Sequence, residues 1–177
     1  MTLEQYRKET LRTMLNLGSN LLDSLHMTVG IMTEIGEIQE AFDKSTLDLV
    51  NLSEEVSDIM WYASNYANLH DLEFIYDGTH YMKTRFGDLI KYAGKLLDID
   101  KKHFAYGKVI DPELRQYNFG MFWGALFRFA QYYNIDLGEG RARNIAKLRA
   151  RFPEKFDTDK AINRDLDVER KILEGTN

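Results

Sequence analysis

An all-α fold is predicted by three observations. Apolar residues recur at helical spacing along the chain, turn-forming residues fall between the periodic stretches, and only Pro112 and Pro153 interrupt 177 residues. A first helix is expected over about 3–17, where Leu3, Tyr6, Leu11 and Leu15 form an apolar stripe, and Gly18-Ser19-Asn20 ends it. A second runs over about 22–43. Thr46 or Asp48 can start a third that reaches about 69, with His70-Asp71 at its end. A long helical region is expected over about 72–104, with a break at Asp77-Gly78 or near Gly87. Gly107 and Asp111-Pro112 mark the clearest turn, because proline after aspartate suits a first helical turn. An aromatic-rich helix then covers about 112–133, and another about 138–151 stops before Pro153. The charged tail from Thr158 to Glu174 is expected to be a last helix, packed on the outside or fraying.

The length suits one all-α domain with a good core over 1–177, ending in a basic helical segment at 138–177. With 44% hydrophobic and 29% charged residues, the composition is that of an ordinary globular chain. The absence of cysteine excludes a disulfide framework, a thiolate metal site and a thiol nucleophile. No run of apolar residues is long enough to span a membrane and no basic-then-apolar leader is present, so a cytoplasmic location is the expectation. A net charge of −5 argues against general nucleic-acid binding.

Two acidic pairs carry the chemistry. Glu34-Ile35-Gly36-Glu37 and Glu55-Val56-Ser57-Asp58 each put two carboxylates one turn apart on a single helical face. One such pair alone is a common solvated face. Two pairs on adjacent helices (the segment 22–70), each set in apolar sequence, instead make an oxygen-rich pocket suited to a hard divalent cation. Gly36 disfavours its own helix by roughly 1 kcal/mol against alanine, which suggests close helix approach or ligand access. A carboxylate-bridged di-iron bundle would need Glu-x-x-His, and none of His26, His70, His80 and His103 lies three after a glutamate. His26 alone is read as structural.

A weak internal repeat pairs Gly36 with Gly94 and Lys44 with Lys102. Ile31, Ile35, Ile38 and Ala41 then fall on Leu89, Ala93, Leu96 and Ile99. With a few extra residues around Gly107, Trp61 meets Trp123, Leu52 meets Leu114 and Ala63 meets Ala125. The four acidic positions become Tyr92, Lys95, Tyr117 and Gly120, so 84–133 would be a copy of about 26–69 without its acids.

These motifs resemble the all-α nucleoside triphosphate pyrophosphohydrolases, the superfamily of MazG and the dimeric dUTPases. The resemblance rests on Thr33-Glu34-Ile35-Gly36-Glu37-Ile38-Gln39-Glu40-Ala41 and Ser53-Glu54-Glu55-Val56-Ser57-Asp58-Ile59-Met60-Trp61-Tyr62. A further stretch, Asn144-Ile145-Ala146-Lys147-Leu148-Arg149-Ala150-Arg151-Phe152-Pro153, is similar to small MazG-like proteins, so most of 22–157 is covered. Ser57 departs from the usual glycine but is small. The resemblance implies a MazG-like helical bundle in which Glu34, Glu37, Glu55 and Asp58 bind Mg²⁺, with Mn²⁺ as a substitute. It also implies cleavage of a nucleoside triphosphate to the monophosphate and pyrophosphate, as in nucleotide-pool house-cleaning. One of the first pair can instead act as general base through a water, and spacing does not say which carboxylate orients it. Relatives assemble from two or more chains, and dimeric dUTPases resemble an internal fusion with one set of acids lost. Here the second half would stand in for the partner, and any homodimer would form through other surfaces.

The expected substrate contacts are Asn65, on the Asp58 face, and Lys147 and Arg151, four apart, with Asn144 one turn earlier. That basic helix can equally be a solvated face. Lys95 is either a cationic pocket wall or a solvated lysine. Trp61, Tyr62, Phe122 and Trp123 are read as core, with an aromatic at the seam able to stack on a base. The alternative function is a non-catalytic helical interaction or regulatory protein that keeps the fold.

Overall fold

A computed structural model describes residues 1–76 and 85–176. Among these, the chain is all-helical, with eight α-helices and no strand. They are α1 (Leu3–Thr10), α2 (Asn20–Asp43), α3 (Leu49–His70), α4 (Arg85–Tyr106), α5 (Pro112–Tyr132), α6 (Leu137–Arg151), α7 (Thr158–Ile162) and α8 (Leu166–Glu174).

Short polar side chains set most of the helix starts. The Ser19 hydroxyl accepts from the Leu22 amide, and the Asp48, Asp111, Asp136, Asp157 and Asp165 carboxylates accept from the first amides of α3, α5, α6, α7 and α8. Each such cap stabilises by about 1 kcal/mol, satisfying donors that the helix itself cannot. Asp71, in the left-handed region at φ 52°, ends α3.

Helices α2 to α5 form the central bundle, with α2 packed on both α3 and α4, and α4 on α5. Its core is Ile31, Ile35 and Ile38 from α2, Leu52, Val56, Ile59 and Met60 from α3, Leu89 and Leu96 from α4, and Phe119, Phe122 and Phe129 from α5. A buried polar knot crosses the same bundle. Arg115 Nη1 donates to Asp100 Oδ1 at 3.0 Å and to the Tyr66 hydroxyl at 2.7 Å, and lies 2.6 Å from His70 Nε2. Ser24 and Thr28 donate to the other Asp100 oxygen at 2.7 and 3.2 Å. All four long helices are thereby tied at one level, a register-setting use of polar groups. On the outer side of α3, α1 and α6 pack together, and α8 rests on α6 and α3.

Three expected elements differ. The first helix ends at Thr10 and a single 3-10 turn, 11–13, follows it. Tertiary bonds take over there: the Thr13 hydroxyl accepts from the Trp61 indole at 3.0 Å, and the Leu17 amide donates to the Asp23 carboxylate at 2.7 Å. The helical region expected from 72 begins at Arg85, and 72–76 is irregular chain laid on α5. Glycines make that possible: a Cβ on Gly120 would stand 2.4 Å from the Ile75 carbonyl oxygen, and one on Gly124 would stand 2.4 Å from the Tyr76 ring. The break expected at Asp77-Gly78 lies outside the described residues, and Gly87 sits within α4 without a break. Finally, the tail forms two helices packed on the outside, α7 with no buried residue and α8 with Glu169 and Leu173 buried against its neighbours.

Gly36 has a different reason from close packing. Nothing lies within 4 Å of a Cβ built on it, and the same holds for Gly94. The close approaches fall elsewhere, at Gly30 under the Tyr62 ring and at Gly140, where a Cβ would meet the Ser57 hydroxyl at 2.6 Å. Ser57 is small because α6 crosses α3 at that point.

Candidate functional site

α2 and α3 lie side by side, so the acidic faces read from the sequence meet between them. Glu34, Glu37 and Glu55 offer carboxylate oxygens that all lie within 4.8 Å of one another. Asp58 lies beside this trio but is engaged from α6. Its Oδ2 is 2.6 Å from Lys147 Nζ, and its Oδ1 accepts from Lys147 at 2.9 Å and Asn144 at 2.5 Å. An ionised carboxylate has about four acceptor sites, so Asp58 retains capacity for a further ligand.

Burial and mutual repulsion dominate the electrostatics. Burial first, then the negative charges of Asp58 and Glu37, push Glu34 up to about 7. The same causes, with Glu34 added, push Glu55 up to about 9, and the two carboxyl groups are within hydrogen-bonding reach of each other. They share a proton near neutrality, as coupled carboxylates do. Glu37 is raised for the same reasons but is more exposed. A cluster that resists ionisation in this way is one that a cation relieves.

The acids line a cavity of about 640 Å³. Its lining includes the apolar and aromatic side chains of Leu15, Trp61, Tyr62, Phe152 and Phe156, and the cations Lys147, Arg151, Arg164 and Arg170. Seven carboxylates face those four cations across the lining, so the cavity is net anionic. His26 also lines it, edge-on to Tyr62 at 5.9 Å, and its buried Nδ1 has no hydrogen-bond partner among the described residues.

The other expected site residues divide. Lys147 and Arg151 line the cavity, while Arg149 points away and pairs with Glu9 at 2.8 Å. Lys147 is fully buried and gives its donors to Asp58 and Glu54. Arg151 is bidentate to Glu169, at 2.7 and 2.5 Å. Asn144 is buried behind the acids. It accepts from the Tyr6 hydroxyl at 2.7 Å and donates to Asp58, so it orients that carboxylate. Asn65 is buried outside the cavity lining, both amide atoms lacking a partner among the described residues, and Lys95 is an exposed residue of α4. The structure does not bring these two to the acids.

No protein-family model, curated protein or solved structure matches this chain.

Several residues of the site were not singled out from sequence. Glu54 stands on the Asp58 face, one turn before it, and bonds Lys147 at 3.0 Å. Asn51, a further turn away, donates to Glu55 at 3.1 Å. The spacing of Asn51, Glu54, Glu55 and Asp58 is a helical stripe and carried the signal. Arg164 and Glu169 come from the tail, where the spacing of Leu166, Glu169, Arg170 and Leu173 marks the face of α8 that lines the cavity.

Proposed function

We propose that the chain is a Mg²⁺-dependent, MazG-like nucleoside triphosphate pyrophosphohydrolase that releases a nucleoside monophosphate and pyrophosphate. The observation that carries this reading is the glutamate trio inside a nucleotide-sized cavity with an aromatic wall and a cationic rim. The oxygen-only donor set fits a hard divalent ion, with Glu34, Glu37 and Glu55 as its holders and Asp58 beside them. Such an ion supplies charge neutralisation to a polyphosphate and acidity to water in the site. A bare triphosphate would be repelled by this anionic lining, so the substrate is one that arrives with its cation.

The chain's own residues do the rest. Lys147 fixes Asp58 and Glu54, Asn144 orients Asp58, and Asn51 holds Glu55. Arg151 stands where phosphate oxygens would need a donor. Trp61 and Tyr62 offer ring faces and edges to a base.

We read α2–α3 and α4–α5 as two copies of one hairpin, the second without its acids. The paired residues Ile31 and Leu89, Ile35 and Ala93, and Ile38 and Leu96 are all buried, although Leu52 is buried where Leu114 is 46% exposed. At Gly120 and Gly124, the counterparts of Asp58 and Tyr62, segment 72–76 fills the space. This reading completes the site within one chain and leaves a homodimer to other surfaces. No helix among the described residues is long and apolar enough to cross a membrane, and a cytoplasmic nucleotide-pool role accords with that. A panel of canonical and modified nucleoside triphosphates, assayed for pyrophosphate with Mg²⁺ and with chelator, tests the function. Failure to release pyrophosphate from any of them refutes it.

A further inference from the structure

We propose that the C-terminal α7–α8 segment is part of the substrate site, with Arg164 binding the outer phosphates of a polyphosphate and Glu169 positioning it. This rests on the triphosphate reading above. The cavity's four cations are not equivalent. Lys147 commits its ammonium to Glu54 and both oxygens of Asp58, which exhausts its three donors. Arg170 is held by Asp48 at 2.7 Å and Glu174 at 2.6 Å. Arg164 differs from Arg170 in its partners rather than in its spare donor. Each leaves one terminal nitrogen donating to no group among the described residues. Arg170 has two carboxylates to itself, whereas Arg164 gives Nε and Nη2 to a single carboxylate, Glu169, which Arg151 also occupies.

Arg164 is also placed for the task. Its Nη2 lies 3.9 Å from Glu54 Oε1, its side chain is 39% exposed, and it lines the cavity that holds the glutamate trio. Its charge favours the ionised form of Glu37, the outermost of the three. Arg151 reaches the same Glu169 from α6, so one buried carboxylate gathers two guanidiniums, both of them on its Oε2. Planar guanidiniums with unspent donors match phosphate oxygens better than an ammonium does. The end of the polyphosphate farthest from the nucleoside therefore meets Arg164, and the tail that carries it closes the site.

Calorimetry with inorganic pyrophosphate in saturating Mg²⁺ tests this on the full chain. Arg164→Gln is expected to weaken pyrophosphate by about tenfold or more, the loss expected for a hydrogen bond to a charged group. Affinity for Mg²⁺ alone and for a nucleoside monophosphate should be kept, Arg164→Lys should restore part of the loss, and Glu169→Gln should reproduce part of it. Three results overturn the proposal: wild-type protein that binds no pyrophosphate, Arg164→Gln that binds it as well as wild type, or a variant that loses thermal stability and both ligands alike. Wild-type turnover separates the two levels. If no triphosphate is cleaved, the pyrophosphohydrolase reading fails. If cleavage is normal and Arg164→Gln keeps its pyrophosphate affinity, only the role of Arg164 fails.

Discussion

Lys147 Nζ lies 2.6 Å from Asp58 Oδ2, on a side chain only 1% exposed. A buried ammonium is tolerated only while its carboxylate partners stay ionised, so Asp58 holds up the fold as well as belonging to the site. Asp58→Asn should lower stability in metal-free buffer by about 2 to 3 kcal/mol, because Lys147 then keeps only Glu54 as a full anionic partner. Glu55→Gln should do the opposite or nothing, since it removes a charge that its neighbours repel. Urea unfolding of both variants in chelator checks the contrast.

Metal binding should strengthen with pH. The folded, metal-free chain holds protons on Glu34 up to about 7 and on Glu55 up to about 9, whereas the ordinary value is 4.5. A divalent ion must displace them, so the thermal shift produced by Mg²⁺ is expected to grow from pH 6 to 9. The folded state binds more protons than the unfolded one across this window. In chelator, therefore, these two groups make stability fall as pH rises from about 4.5 towards 9. Glu55→Gln should flatten that slope, and melting curves across pH measure it.

His70 works in the opposite sense. Burial and the Arg115 guanidinium hold it neutral, pushed down to about 4 from 6.5. Between those values the unfolded chain binds the proton and the folded chain does not, so this group makes stability fall as pH drops through the window. His70→Gln should reduce the acid sensitivity of the melting temperature between pH 6.5 and 4. An unchanged acid limb would remove His70 from the account.

The glycines separate by surroundings. Gly120→Ala should destabilise by about 1 to 3 kcal/mol, because the new methyl meets the Ile75 backbone. Gly36→Ala meets nothing and should stabilise by up to about 1 kcal/mol through helix propensity. Thermal unfolding of the two variants decides it.

The long helices and the shared face of each acidic pair were legible because both follow from periodicity within a helix. Thr13 was not, since its break from helix comes from a bond to Trp61, 48 residues away. The path of 72–76 was hidden for the same reason: Gly120 and Gly124 read as packing positions only once the chain lying on them is known. Asp58 was visible as an acid, but its tie to Lys147 depends on how α6 crosses α3 at Gly140 and Ser57. Arg164 and Glu169 went unread because a charged amphipathic tail looks like a solvated one until its partner face is built.

The pyrophosphohydrolase reading is tested most directly by the products made from the best-accepted nucleoside triphosphate in Mg²⁺, followed by ³¹P NMR. The account predicts nucleoside monophosphate and pyrophosphate in equal amounts, formed by wild-type protein and suppressed by Glu55→Gln without loss of stability in chelator. Nucleoside diphosphate with orthophosphate, or equal turnover by Glu55→Gln, would contradict it.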